Sequence, residues 1–272
     1  MDTQYVHVDD LKIAYIEKNK DAPSTFFFIP GNSVSKRIWR KQFESISLSA
    51  YRMIAIDLPA HADSDAAPET AYTLPDLAEL LYKVINKLTN NTPYILAGVS
   101  LGTNIIAEML AFKIHPIGLV LAGPCVFGKN YTVEQIAKPG THVGVVFADD
   151  PHDNDVVSYA HEIFLSPEDE DLKIFLEDFK RVQDPFRSSL AKSIFDGNYN
   201  DEVELLQQKN IPSLIIFGRN ELVINCNYLD NAELPLWNKM ICKIEGASHF
   251  VNSDQPVEFN KLLGEFAEDI FK

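Results

Sequence analysis

The chain has 272 residues, 46% of them hydrophobic, which is enough to bury the core of one large α/β domain. Its 39 Asp and Glu against 24 Lys and Arg leave a net charge of −15, and that excludes nucleic acid as a partner, because phosphate binding needs clustered cations. No segment is apolar for the length a bilayer demands, and the opening MDTQYVHVDDLKIAYI has no basic stretch followed by an apolar run, so a soluble cytoplasmic protein without a signal peptide is expected.

Taken in chain order, short apolar runs alternate with helix-length amphipathic stretches. Strands are predicted at Tyr5–Val8, Lys12–Glu17, Thr25–Ile29, Met53–Leu58, Tyr94–Val99, Gly118–Leu121, Ser213–Phe217 and Met240–Ile244. The middle runs (FFFI, MIAI, YILAGV, LIIF) are apolar at consecutive positions, as strands covered on both faces should be. Helices are predicted at Lys36–Leu48, Leu74–Leu88, Leu101–Lys113, Asn225–Ala232 and Gln255–Phe271. The alternation implies right-handed crossovers and a mostly parallel eight-stranded sheet with helices on both faces and an antiparallel start.

One interval breaks the rhythm. Between Val126 and Gln208 there is no convincing strand, only helical stretches near Val156–Phe164, Leu172–Val182 and Pro185–Phe195. This reads as a helical cap, residues 126–208, inserted after the sixth strand between core segments 1–125 and 209–272, and lying over the sheet edge where ligands bind. The acidic groups Asp149, Asp150, Asp153, Asp155 and Glu168 to Asp171 read as solvated helix ends and loops. The three cysteines, Cys125, Cys226 and Cys242, have no metal-type spacing and read as small buried hydrophobes.

Gly98-Val99-Ser100-Leu101-Gly102 fits G-x-S-x-G. The motif alone is common, but here it follows a buried strand immediately and opens a helix, the strand–turn–helix setting of a nucleophile elbow. Flanking glycines let the backbone turn and keep side chains away from a strained serine. A serine hydroxyl needs a base, and among seven histidines His249, in EGASHF directly after the last strand, stands in the right chain order. His61, in DLPAHADS, reads as structural. No histidines pair at zinc spacing, with neither HExxH nor HxHxDH present, so no metal or other cofactor is expected.

The base needs an orienting carboxylate, and Glu221, in Gly218-Arg219-Asn220-Glu221 after the LIIF strand, is placed to supply it, with Asp57 as the nearest rival. The N–H of Leu101 offers one oxyanion donor. The second is expected from Asn32, in the loop Pro30-Gly31-Asn32-Ser33.

These residues resemble the α/β-hydrolase superfamily across essentially the whole chain, from FFFIPGNS through DLPAHADS, GVSLG and FGRNE to GASHF. The superfamily usually has His-Gly where Pro30-Gly31 stands, a DLPGHG-type run where Ala60 and Ala62 stand, and aspartate where Glu221 stands. Serine rather than aspartate at the elbow rules against dehalogenase and epoxide-hydrolase chemistry. The chain looks most like the small, metal-independent N-acyl-homoserine lactonases, the quorum-quenching enzymes of this superfamily, in its length, its GNS loop, the glutamate in GRxE and the stretch VVSYAHEIF. That likeness implies a triad of Ser100, Glu221 and His249, with Asn32 and Tyr159 facing a small acyl ester or lactone. Two alternatives stay open: a general carboxylesterase or thioesterase, and a binding receptor on a hydrolase scaffold; Tyr159, for its part, reads equally well as an aromatic that packs the lid.

Overall fold

In the computed structural model, which describes residues 1–272, the apolar runs become the centre of one eight-stranded sheet. The strands are β1 (Gln4–Val8), β2 (Leu11–Lys18), β3 (Thr25–Ile29), β4 (Arg52–Ile56), β5 (Tyr94–Val99), β6 (Gly118–Ala122), β7 (Ser213–Gly218) and β8 (Cys242–Ile244). They lie in the order β1-β2-β4-β3-β5-β6-β7-β8. β1 pairs β2 and β2 pairs β4 antiparallel, and every other pairing is parallel. β3 to β7 are buried at every position, which is why they read as continuous apolar runs rather than alternating ones. The order reverses around β3 and β5, and the loops leaving their carboxyl ends bound the candidate site.

The helices are α1 (Arg40–Phe43), α2 (Leu74–Leu88), α3 (Leu101–Met109), α4 (Val133–Ile136), α5 (Asp153–Ile163), α6 (Asp169–Lys180), α7 (Phe186–Phe195), α8 (Glu202–Lys209), α9 (Val251–Asp254) and α10 (Pro256–Ile270). α2 starts where its sequence says it should: Thr73 accepts from the Asp76 N–H at 3.1 Å, and proline stands in the first turn. Its apolar face, with Leu77, Leu81, Val84 and Ile85, is fully buried. α3 is buried all round because it lies against β5, α2 and α8. No helix is long and apolar enough to cross a membrane.

Several helices depart from expectation. The run Lys36–Leu48 is a 3₁₀ turn over Lys36–Trp39 followed only by the short α1. After α1, Ser49 bonds the Ile46 carbonyl and Ser47 the Asn260 carbonyl, so side chains take over backbone bonding and the helix stops. α3 ends at Met109 because Leu110, Ala111 and Phe112 donate to carbonyls three residues back. Asn225–Ala232 is not a helix: Tyr228, Asp230 and Ala232 donate in successive three-residue turns, while Asn227 and Asp230 turn outward to hold Lys243. An additional helix, α8, is capped by Asp201, which accepts from Glu204 N–H at 2.9 Å, and packs against α3.

The acidic run at Glu168 is not simply solvated. Asp171 is buried and pairs with Arg40 at 2.8 Å and Lys41 at 3.0 Å. Asp178, two turns further along the same face, is also buried and accepts from Ser35 N–H at 3.0 Å, the Ser35 hydroxyl at 2.6 Å and the Arg37 guanidinium. These contacts clasp α6 to the segment after β3.

Candidate active site

The turn from β5 into α3 carries Ser100 in a backbone conformation that only tight packing tolerates, with φ 52° and ψ −123°. Its flanking glycines are required sterically. A Cβ on Gly98 would meet the Gly102 carbonyl at 2.6 Å, and one on Gly102 would meet the Ile29 carbonyl at 2.5 Å. β3, β5 and α3 therefore approach through bare backbone, and the serine is forced out at the sheet edge.

His249 follows β8 in a loop fastened on two sides. Ser248 N–H donates to Asp254 at 2.8 Å and its hydroxyl to the Glu162 carbonyl at 2.5 Å, while Phe250 N–H donates to the Ile163 carbonyl at 2.9 Å. The imidazole Nε2 lies 2.9 Å from Ser100 Oγ, and Nδ1 lies 3.0 Å from Glu221 Oε2. His249 is 1% exposed and Glu221 2%. The other Glu221 oxygen accepts from Val223 N–H at 2.8 Å and Ile224 N–H at 3.3 Å, so the carboxylate is aimed by its own loop. With Nδ1 donating to the carboxylate, Nε2 is free to accept from the hydroxyl. Burial disfavours the imidazolium, but the adjacent Glu221 carboxylate outweighs it, and the Cys125 side chain adds to the same effect; the His249 pKa is raised above its ordinary range.

The structure thus brings Ser100, His249 and Glu221 together, and leaves Asp57 elsewhere. Asp57 is buried and receives Lys36 N–H at 2.7 Å and Lys36 Nζ at 2.6 Å, so it secures its own loop. The Asn32 N–H has no acceptor in the protein, and the Leu101 N–H is the first of a helix, where no intrahelical carbonyl is within reach. The Asn32 side chain is less free than expected. Its Nδ2 donates to the Val146 carbonyl at 2.8 Å, and its Oδ1 accepts from the Ser33 hydroxyl at 2.9 Å, leaving one amide hydrogen uncommitted. Tyr159 of α5 is 5% exposed and its hydroxyl has no hydrogen bond within the protein. Burial raises its pKa, with Cys125 and Glu221 as charge neighbours, so it stays a neutral donor.

Sequence reasoning missed Cys125. It is only half-buried, not the buried filler expected, and its sulfur lies 3.9 Å from Ser100 Oγ. Its backbone is fixed by Thr103, which accepts from Cys125 N–H at 3.1 Å, and by Asn104, which donates to its carbonyl at 2.7 Å. Asn104 also donates to the buried Glu202 at 2.8 Å, whose pKa burial raises well above the ordinary carboxyl value. Proximity across 25 residues of sequence carries no local signal. No group of three or more His, Cys, Asp and Glu side chains could hold a metal ion.

A doubly wound sheet with a strained serine at its central strand end, hydrogen-bonded to a histidine and carboxylate from later loops, defines the α/β-hydrolase class. A family model described as alpha/beta hydrolase fold matches residues 24–256, and the chain belongs to this family. Among solved structures it is similar to a serine-to-glycine mutant of the N-acyl homoserine lactonase AidH complexed with N-hexanoyl homoserine lactone, with TM-score 0.88 and 25% identity over 99% of this chain and 98% of that one. It also resembles a membrane phospholipase A described as a bacterial virulence factor (TM-score 0.81, 18% identity, 100% and 87% coverage). A third likeness is to a thermophilic esterase from Thermogutta terrifontis (TM-score 0.78, 15% identity, 100% of both chains). No curated protein matches by sequence.

Proposed function

We propose that the protein is a serine hydrolase of carboxylic ester bonds whose substrates are N-acyl-homoserine lactones. The observation that carries the reading is the hydrogen-bonded array from Ser100 through His249 to Glu221. The likeness to AidH, a mutant of which holds N-hexanoyl homoserine lactone in its solved complex, supports the narrower substrate class.

In this mechanism His249 Nε2 takes the Ser100 proton as Oγ attacks the lactone carbonyl. The N–H groups of Asn32 and Leu101 hold the tetrahedral oxyanion, each worth about 3–4 kcal/mol. His249 then returns its proton to the departing ring oxygen, leaving an acyl-Ser100 ester whose released hydroxyl is still tethered. That tethered hydroxyl can close the ring again, at high effective concentration. Water, deprotonated by His249, must outcompete it to give the free acid. Tyr159, with its unpaired hydroxyl, holds the opened chain away from the acyl carbon. Residues 126–208 act as the lid that excludes bulk water during these steps.

The test is proton release from acyl-homoserine lactones in EDTA by wild type and Ser100→Ala, beside hydrolysis of a p-nitrophenyl ester. Lactone opening by wild type alone supports the full reading. Ester cleavage through Ser100 without lactone opening would replace it with a general carboxylesterase, the reading favoured by the esterase-like neighbours. No turnover of either would end it.

A further inference from the structure

Ser33 follows Asn32 in the loop leaving β3, and its φ of 62° lies in the left-handed region that a serine adopts only when held. Three hydrogen bonds hold it, and a fourth holds its neighbour Asn32. Ser33 N–H donates to His61 Nε2 at 3.1 Å, and its hydroxyl donates to Asn32 Oδ1 at 2.9 Å. Arg187 Nε donates to Ser33 Oγ at 3.0 Å, and Asn32 Nδ2 reaches the Val146 carbonyl at 2.8 Å. A backbone N–H can only donate, so His61 Nε2 is unprotonated and its Nδ1–H donates to the Pro59 carbonyl at 2.9 Å.

Arg187 belongs to α7, 154 residues from Ser33 in sequence. It is 3% exposed, forms no ion pair, and lies 4.0 Å from the Phe179 ring centroid, with another nitrogen on the Phe179 carbonyl. Burial pushes its pKa down to about 10, which still leaves it charged at neutral pH. An unpaired buried cation is costly to keep, and two of its three nitrogens are spent on these fixed acceptors.

We propose that Arg187 is a positioning residue for the oxyanion loop. Through the Ser33 hydroxyl it fixes the Asn32 peptide, whose N–H is the unengaged donor, and it does so only while α7 and the segment around Val146 are docked. The inference rests on the serine-hydrolase reading for its effect on rate, but not for its effect on the loop.

The experiment compares wild type, Arg187→Ala and Ser33→Ala in p-nitrophenyl ester kinetics and in amide hydrogen exchange over residues 31–34. Both variants are expected to lose roughly 10–100-fold in kcat with KM changed less than about threefold, and to exchange faster at 31–34 while β3 to β7 stay protected. Guanidinium ion should restore kcat in Arg187→Ala and not in Ser33→Ala. It has a route in: a cavity of about 380 Å³ borders Arg187 and is lined by Asp149, Asp150, Asp153 and Asp184, which attract a small cation. Unchanged kcat and unchanged exchange at 31–34 would overturn the proposal, as would uniformly faster exchange across the sheet with no guanidinium response. If wild type cleaves no ester, the hydrolase reading fails, and exchange at 31–34 alone decides whether Arg187 positions the loop.

Discussion

β3 to β7 bury every residue they contain, and their side chains are almost all apolar, whereas α6, between β6 and β7, buries only four of its twelve residues, two of them aspartates. The sheet is held by its backbone ladder and by close-packed burial of apolar surface, which needs no particular side-chain partner. The helical segment is held in part by directional polar clasps: Asp171 to Arg40 and Lys41, Asp178 to Ser35 and Arg37, Asn32 to Val146, and Ser248 to Glu162. The difference separates two roles. The sheet presents Ser100 rigidly, while the clasps fix α6 and its neighbours at particular points, beside buried residues such as Phe175 and Phe179 that belong to the same apolar core as the sheet.

The comparison sharpens first at the join between sheet loops and chemistry. Glu221→Gln keeps the shape of the side chain but removes the charge that favours imidazolium at His249. The expected loss in kcat/KM is roughly 10³–10⁴-fold, and the pH midpoint for activity should move down, because His249 then deprotonates more easily. A pH–rate profile checks both; an unshifted midpoint would mean that Glu221 does not govern His249.

A clasp should fail differently. Asp178→Ala strands the Ser35 and Arg37 donors and should cost about 3 kcal/mol. Hydrogen exchange should then rise in α6 and around Ser35 ahead of β5 and β6. Equal loosening of both regions would erase the distinction.

The last effect is absent at neutral pH and appears only in acid. Burial lowers the His61 pKa from 6.5 to about 4, so the unfolded chain takes up the proton first. The stability this contributes is complete above pH 6.5 and drains away as pH falls toward 4, by about 3 kcal/mol in all. His61→Gln, which can still accept from Ser33 N–H, should flatten that fall in a series of Tm values against pH. Parallel curves would show that His61 does not titrate in this range.

What the sequence made legible follows the same division. Two-sided burial writes itself as continuous apolar runs, so the central strands stand within a residue or two of their predicted bounds. The amphipathic run Leu74–Leu88 announces α2, and the GVSLG elbow and the loop with His249 are each signalled by local order along the chain. Clasps are not local. Ser33 and Arg187 are 154 residues apart, Asn32 and Val146 are 114 apart, and nothing near Asp178 marks it as buried. The short turn and helix that stand in place of the expected Lys36–Leu48 are surrounded by contacts of the same kind. Lys36, Arg37, Arg40 and Lys41 are each engaged by carboxylates from other parts of the chain, which no periodicity records.

The claim that everything else depends on is that Ser100 is the nucleophile, with the Cys125 thiol only 3.9 Å away as its nearest competitor. The direct measurement is to label the protein with an alkyl fluorophosphonate at neutral pH and locate the adduct by peptide mass spectrometry. The account predicts a single adduct on Ser100 in wild type and none in Ser100→Ala. An adduct on Cys125, or labelling that persists in Ser100→Ala, would contradict it.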